Sequence, residues 1–466
     1  MLFWTGLALF VAAWLSLGAV AATHALLHKR DPRAAWGWIA TCLLLPYLGT
    51  VLYWALGIDR VEIRARRFGL ASLREEAPGL ARDPDIAGQW RAVKRTGDFL
   101  LSVPLVEGNH FTPLYNGEQA FPAMLEAIRG AQSQVLLATY IFENDEVARE
   151  FVDALADTAA RGVTVRLLID AVGSYYSLPA ELARRGLRYA RFNPPRWLPP
   201  AMYLNLRNHR KLLLVDGRVA FTGGMNIDGH HMAARESDPD RIVDVHFRLQ
   251  GPIVTQLGQA FAEDWRYVTG ERLRIAPYEG PAPGMTLART IQAGPNERWD
   301  RLSMILQAAI AAAQHRVRLM TPYFLPTPEL ALALQGAAAR GVAVELVLPG
   351  VSDHAFVRWA MQHRLGWLLD SGIRAWDQPP PFVHSKLLLV DGHYALIGSA
   401  NIDPRSLRLN FELCVESYGG DIAAELDRHF DRAIAQSVEV TAEQLSRRRL
   451  PVKLRDGLSW LFSLYL

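Results

Sequence analysis

The chain has 466 residues, half of them hydrophobic, and a formal net charge of only +3. That length allows a few domains, or one large two-lobed unit with a sizeable core. The weak, dispersed charge excludes the concentrated basic face of a nucleic-acid binder, and two distant cysteines, Cys42 and Cys414, exclude a disulfide framework and a C-x-x-C zinc pair.

No Asp, Glu, Lys or Arg precedes Lys29, and a second uncharged run covers 34–58. Each run is long enough for the ~20 residues of a bilayer crossing. A polar link at 28–33 separates them, which predicts a transmembrane helical hairpin over 1–58. The alternative for the first run is a cleaved signal peptide, but it lacks a basic start and a second apolar run follows at once. Trp36, Trp38, Tyr53 and Trp54 suit interfacial aromatic positions, and Pro46 predicts a kink. The link carries Lys29, Arg30 and Arg33, and the flank after the second run carries Arg60, Arg64, Arg66 and Arg67. This excess favours a cytoplasmic location for the large domain. Residues 59–105, with Pro78, Pro84 and Pro104, read as a juxtamembrane connector containing some helix.

Two halves follow, 106–275 and 276–466, joined through a Pro- and Gly-rich stretch at 272–290. In the first, 118–129 and 146–161 have helical spacing, and 135–141 and 163–169 read as buried strands. The second repeats the order, with helices at 302–313 and 328–340 and strands at 317–320 and 342–348. Alternating strand and helix predicts α/β layers. A Pro-rich apolar loop, 194–200 or 379–383, stands before a motif in each half, either as an ordinary surface loop or as a rim facing lipid. At the carboxyl end, Arg447-Arg448-Arg449 precedes an aromatic-aliphatic run at 458–466. That segment either lies on an anionic membrane surface or docks on the core as a helix.

Each half holds one copy of a motif. His209-x-Lys211-x4-Asp216 is followed by Gly223-Gly224-x-Asn226. His384-x-Lys386-x4-Asp391 is followed by Gly398-Ser399-x-Asn401. One copy is weak evidence; two with matching Gly and Asn positions are strong. The chain has five lysines, and two occupy the matched positions, so an ammonium is wanted there rather than a guanidinium. Apolar runs on either side of Asp-Gly predict a hairpin in each half. On a strand, His and Lys two apart face the same way. Asp216 and Asp391 are either site residues or turn residues only.

The paired motifs resemble those of the phospholipase D superfamily. The surrounding text is similar to its bacterial cardiolipin synthases: Tyr140-Ile-Phe, Asp170-Ala-Val-Gly-Ser174, Thr321-Pro-Tyr-Phe324, and Asn401-Ile-Asp-Pro-Arg-Ser406 with Asn410-Phe-Glu412. The spacing of Trp36, Pro46, Gly49, Tyr53 and Gly57 resembles the amino-terminal hairpin of those enzymes. The resemblance covers nearly the whole chain. It implies a two-lobed phospholipase D fold, a duplicated α/β/α sandwich behind the hairpin. It also implies a multi-pass protein of the bacterial inner membrane that joins two phosphatidylglycerols through a phosphatidyl-histidine, with no metal or cofactor. A hydrolytic phospholipase D, or transfer to another alcohol, is the alternative; a nuclease fits the hairpin and the charge poorly.

Phosphodiester exchange needs a nucleophile, an acid for the leaving alcohol and cations around the phosphate. Two imidazoles titrating near ~6.5 can supply the first two, one neutral and one protonated. Lys211, Lys386, Asn226 and Asn401 can hold the non-bridging oxygens. The resemblance makes Asp244 and Glu412 the carboxylates that orient the histidines, and His209 the nucleophile with His384 the acid. Gly223 and Gly224 would let backbone approach the phosphate, and the Ser399 hydroxyl would bond a phosphate oxygen or the leaving alcohol. His230, His231 and His246 fit zinc only if ligand spacing is ignored. Two departures from the family bear on acceptor choice: Ile242-Val243 stands where Trp-Arg is usual, and 226–231 has histidines where a Gly-acidic-Tyr sequence is common.

Overall fold

A computed structural model of the chain describes residues 2–29, 32–57, 86, 88–173, 181–194, 206–295 and 300–462. The flank arginines at 60–67, Pro78, Pro84, Ser174, the loop at 195–200 and the last four residues lie outside these. The chain divides into two units, residues 1–72 and 73–466.

In the amino-terminal unit, helix α1 (Leu2–His28) contains a stretch, Trp4–His28, long and apolar enough to cross a membrane. The expected second crossing does not form. Helix α2 (Pro32–Leu44) stops at Leu45, and α3 (Pro46–Leu52) with a π-helical turn (Tyr53–Gly57) folds back along it. The contacts fix the reversal. Gly49 packs so tightly on Thr41 that a Cβ would collide with it, and Trp38 meets Tyr53 edge-on at 5.4 Å. On α1, the Tyr47 hydroxyl donates to Phe10 O, whereas Tyr53, six residues later, reaches His24 near the other end. Pro46 causes the turn: it lacks an N–H and its ring clashes with the preceding turn. Thirteen residues of α2 rise only ~20 Å, too little for a ~30 Å hydrocarbon core.

The large unit begins with α4 (Trp90–Leu100). The first half then runs β1 (Val106–Tyr115), α5 (Asn116–Gly130), β2 (Gln134–Thr139), α6 (Glu146–Ala160), β3 (Thr164–Asp170), β4 (Tyr189–Phe192), β5 (Leu212–Val215), β6 (Val219–Gly223), β7 (Ile242–Val243), β8 (Val245–Gln250) and α7 (Ile253–Thr269). The second half repeats it: β9 (Thr286–Ala293), α8 (Arg301–Ala312), β10 (Arg316–Met320), α9 (Pro328–Ala339), β11 (Ala343–Pro349), α10 (Ala355–Leu369), β12 (Arg374–Gln378), β13 (Phe382–Val383), β14 (Leu387–Val390), β15 (Tyr394–Gly398), β16 (Glu412–Tyr418) and α11 (Asp421–Ala435). Strand β17 (Val438–Val440) and helix α12 (Leu450–Leu461) close the chain.

The halves share one 15-stranded sheet, ordered β17-β12-β11-β10-β14-β15-β16-β9-β1-β8-β6-β5-β2-β3-β4. Outward from the β1–β9 seam, the order is the same on both sides. The triplets Leu212–Leu214 and Leu387–Leu389 are buried on both faces, which suits central strands covered by helices. Both Asp-Gly hairpins form as expected, with the aspartates at φ +52° and +51°.

Helix α4 lies within the connector, and a buried arginine of the second half reaches its Asp98. Arg289 is fully buried; its Nε donates to Glu416 Oε1 at 2.7 Å and its Nη1 to Asp98 Oδ1 at 2.7 Å. Trp90 stacks on His393 and Tyr394. The Gln89 amide donates to Asp391 in the second hairpin turn.

Candidate active site

The two motif histidines line one cavity of about 210 Å³ between the halves. Each stands just before a hairpin strand rather than within it, since β5 begins at Leu212 and β14 at Leu387. The other half holds the backbone there. His209 N donates to Phe411 O at 2.9 Å, and His384 N donates to Val243 O at 2.8 Å, where β7 and β13 pair. The departure at Ile242-Val243 therefore lies in the short strand that seats His384.

The carboxylates cross over in the same way. His209 Nδ1 bonds both Glu412 oxygens at 3.1 Å, and His384 Nδ1 bonds Asp244 Oδ2 at 3.0 Å. Both carboxylates are fully buried yet sit below their usual pKa range, because burial is outweighed by the histidine and lysine beside each. An ionised carboxylate can only accept, so each Nδ1 carries the proton and each Nε2 is left with its lone pair.

Lys211 and Lys386 lie beneath the histidines, almost fully buried, each Nζ donating to the carbonyl of its own motif histidine. Burial depresses them to about 7 and about 8, and Lys386 adds its repulsion at Lys211. Burial likewise lowers His209 to about 4 and lowers His384. Both imidazoles are thus neutral in the free cavity at pH 7. An anion bound among these groups would raise them again.

Asn226 and Asn401 line the cavity. The remaining motif residues have other places. Asp216 sits in the hairpin turn and accepts from the backbone N–H groups of Gln132, Ser133 and Gln134 and from the Ser133 hydroxyl, each at 2.8 Å. Asp391 does the same for Gln314, His315 and Arg316. Neither reaches the cavity lining. Ser399 is fully buried and its hydroxyl donates to Glu412, so it grips the partner of His209 rather than facing a substrate. Gly223 and Gly224 serve the protein in the same sense. A Cβ at 223 would meet the ring of His246, and one at 224 would collide with the Asp244 carboxylate.

His231, Asp244 and His384 bring ligand atoms within 4.8 Å of one another. His231 is buried, its pKa pushed down to about 3, and its Nε2 accepts from Asn226 N at 3.2 Å. Lys386 already supplies a cation beside Asp244. His230 is exposed and pairs with Asp238 at 2.7 Å. His246 is buried, with its pKa lowered to about 4.

Several lining residues are absent from the motif reading: Arg207, Asp353, His354 and Val357, with Tyr140, Tyr323 and Arg405 known only as part of a resemblance. Tyr140 follows β2 and Tyr323 follows β10, at the carboxyl ends of parallel strands, where ligands of such sheets bind. That rule was a usable signal. The Tyr140 ring lies 5.2 Å from both the His209 ring and Lys211 Nζ.

Comparison with known proteins agrees with this geometry. Residues 124–265 and 306–434 match a family model described as "Cardiolipin synthase, PLD-like domain", and residues 16–57 match one described as "Phospholipase_D-nuclease N-terminal". The chain is 33% identical over 462 residues to cardiolipin synthase A of Pseudomonas aeruginosa, covering 96% of this chain and 94% of that one. It is 30% identical over 453 residues to a cardiolipin synthase of Geobacillus thermodenitrificans, covering 94% and 90%. Among solved structures, a phosphatidylserine synthase of Haemophilus influenzae superposes with a TM-score of 0.63 at 15% identity, over 80% of this chain and all of that one. That last likeness speaks to the fold alone.

Proposed function

Since the chain belongs to the phospholipase D-like cardiolipin synthases, it is a phosphatidyltransferase, and we propose that it joins two phosphatidylglycerols into cardiolipin with release of glycerol. One observation carries the chemistry: two histidines face one cavity, each held at Nδ1 by an ionised carboxylate of the other half. His209 Nε2 attacks phosphorus while His384 donates its proton to the departing glycerol oxygen, leaving a phosphatidyl-histidine. Neutral His384 then takes the proton of the acceptor's hydroxyl. That oxygen attacks phosphorus, the P–N bond breaks and His209 is restored. Lys211, Lys386, Asn226 and Asn401 stabilise the charge on the non-bridging oxygens. The chain's own groups suffice for these steps, with no metal or cofactor.

The roles of the histidines rest on their partners. Glu412 also accepts from Ser399 Oγ and Asn410 Nδ2, which draw on its charge and leave less for an imidazolium at His209. Among the described residues, Asp244 accepts from His384 and from its own neighbour, Val245 N. This favours a neutral, nucleophilic His209 and a protonated His384. Arg207 and Arg405 in the lining suit the second phosphate that a phosphatidylglycerol acceptor carries.

We further propose that α1 crosses the inner membrane of a bacterium while α2 and α3 enter and return. The link at 28–33 and the chain after Gly57 then leave the bilayer on one side, bringing all seven flanking basic residues to the cytoplasmic face. The catalytic unit follows them there.

Purified protein incubated with phosphatidylglycerol in detergent micelles, with excess chelator, should yield cardiolipin and glycerol by mass. Phosphatidic acid as the sole product would assign hydrolysis instead. A strict divalent-metal requirement would overturn the metal-free scheme.

A further inference from the structure

Helix α12 has one face with no protein against it among the described residues. Its other side is fixed: Asp456 and Ser459 are buried, the Arg455 guanidinium lies 4.3 Å above the Trp359 ring, and the Trp460 ring is 5.3 Å from that of His363. On the open side, Leu450, Leu454, Leu458, Leu461 and Phe462 are 67, 58, 59, 62 and 61% exposed. At 3.6 residues per turn, the four leucines fall within an arc of about 80°, with Phe462 at its edge. Single exposed leucines are ordinary, but a continuous stripe of them marks a contact surface.

The charge beside the stripe selects the partner. Residues 447–462 contain Arg447, Arg448, Arg449, Lys453 and Arg455 against a single acid, Asp456. That acid is buried and bound by Arg448 and Arg455. Arg449 and Lys453 are exposed beside the leucines. An apolar stripe flanked by uncompensated cations fits an anionic lipid surface better than a second copy of itself, whose cations would repel.

The location fits as well. The contacts Arg455–Trp359 and Trp460–His363 advance in the same sense, so α12 runs parallel to α10 and starts near its amino end. His354 and Val357 at that end line the cavity, and Phe356 between them is 59% exposed.

We propose that α12 docks on the surface of an anionic bilayer, its leucines entering the acyl boundary and Arg449 and Lys453 meeting phosphate headgroups. This seats the cavity against the headgroup layer, so that lipids reach the histidines without leaving the membrane plane. Docking does not depend on which phospholipid is the substrate.

The test uses the full chain reconstituted in vesicles of phosphatidylcholine with one quarter phosphatidylglycerol. Cys42 and Cys414 are buried, so an environment-sensitive dye can be placed on Leu458→Cys, or on Glu443→Cys as a control in the short helix Ala442–Ser446 that precedes α12. The dye on Leu458→Cys should emit further to the blue than the control and be quenched by spin-labelled lipid, and 0.5 M salt or vesicles without phosphatidylglycerol should weaken both effects. A water-like emission quenched by iodide would overturn the proposal. So would a blue shift that grows with protein density without lipid quenching, which would assign the stripe to a second copy. Independently, Leu454→Ser with Leu458→Ser should lower turnover in these vesicles about tenfold relative to turnover in detergent micelles; equal losses in both would contradict docking. The fluorescence needs no turnover, so it stands apart from the identity of the reaction.

Discussion

Glu412 and Asp216 are both carboxylates tied to the motifs, but the fold gives them opposite duties. Glu412→Ala removes the acceptor that fixes the His209 tautomer, and kcat should fall a hundredfold or more while the protein stays folded. Asp216→Ala unties three backbone donors and a hydroxyl on a half-exposed turn, which should cost about 1–3 kcal/mol of stability. Turnover per folded molecule should stay within a few fold. Thermal melts beside initial rates separate the two, and an Asp216→Ala protein that melts normally but is inactive would return that residue to the site. The lysines supply a pH test. Lys211 and Lys386 are held at about 7 and about 8 by burial, and a bound phosphate-like anion favours their charged forms. Binding of vanadate or tungstate at pH 8 should therefore take up protons, and its affinity should fall as pH rises through 7 to 8.5. Calorimetry in buffers of different ionisation enthalpy measures the uptake, and a buffer-independent heat would contradict it. The His, Lys and Asn of both motifs were legible because they repeat. Ser399 was legible as a position but not as a role, because its contact with Glu412 depends on β15 and β16 lying side by side.

At the scale of elements, α4 ties the connector to the second half through a buried ion cluster. Arg289→Ala would strand Glu416, fully buried, with the hydroxyls of Tyr394 and Tyr418 as its remaining side-chain donors among the described residues. About 3–5 kcal/mol of stability should be lost, read from denaturant midpoints, because an uncompensated buried charge remains. A loss below about 1 kcal/mol would mean that water or another cation replaces the guanidinium. Helices α5, α6, α8 and α9 fall within a residue or two of their expected bounds, because their apolar spacing is regular. The amino-terminal unit was misread for a definite reason. Hydropathy measures length along the chain, and 34–58 is long enough to cross; Pro46 and the close approach of Gly49 to Thr41 turn it back halfway. The crossing of carboxylates between halves was invisible for a related reason: spacing along the chain carries no signal of β7 pairing with β13 across the seam.

For the whole molecule, burying titratable groups between two halves makes stability depend on pH. His209, His231 and His246 lie near 4, 3 and 4 in the folded protein, against about 6.5 unfolded. Their folded values are depressed, so the stability tied to keeping them neutral is complete above about pH 6.5 and is lost as pH falls toward 4. Denaturant midpoints at pH 7.5, 6 and 5 should fall in that order, and an unchanged midpoint at pH 5 would contradict the burial argument. The same enclosure lets one half supply each histidine and the other half its carboxylate, so neither half alone holds a complete acid or nucleophile. The central claim is a covalent relay through one of those histidines, and the adduct itself is the most direct test. A phosphodiester lipid whose leaving group needs no protonation should modify the His384→Ala protein but not the His209→Ala protein. Brief reaction, digestion without acid and peptide mass analysis should place a phosphatidyl group on the peptide containing His209; an adduct on the His384 peptide of the wild-type protein would exchange the two roles, and none on either would contradict the account.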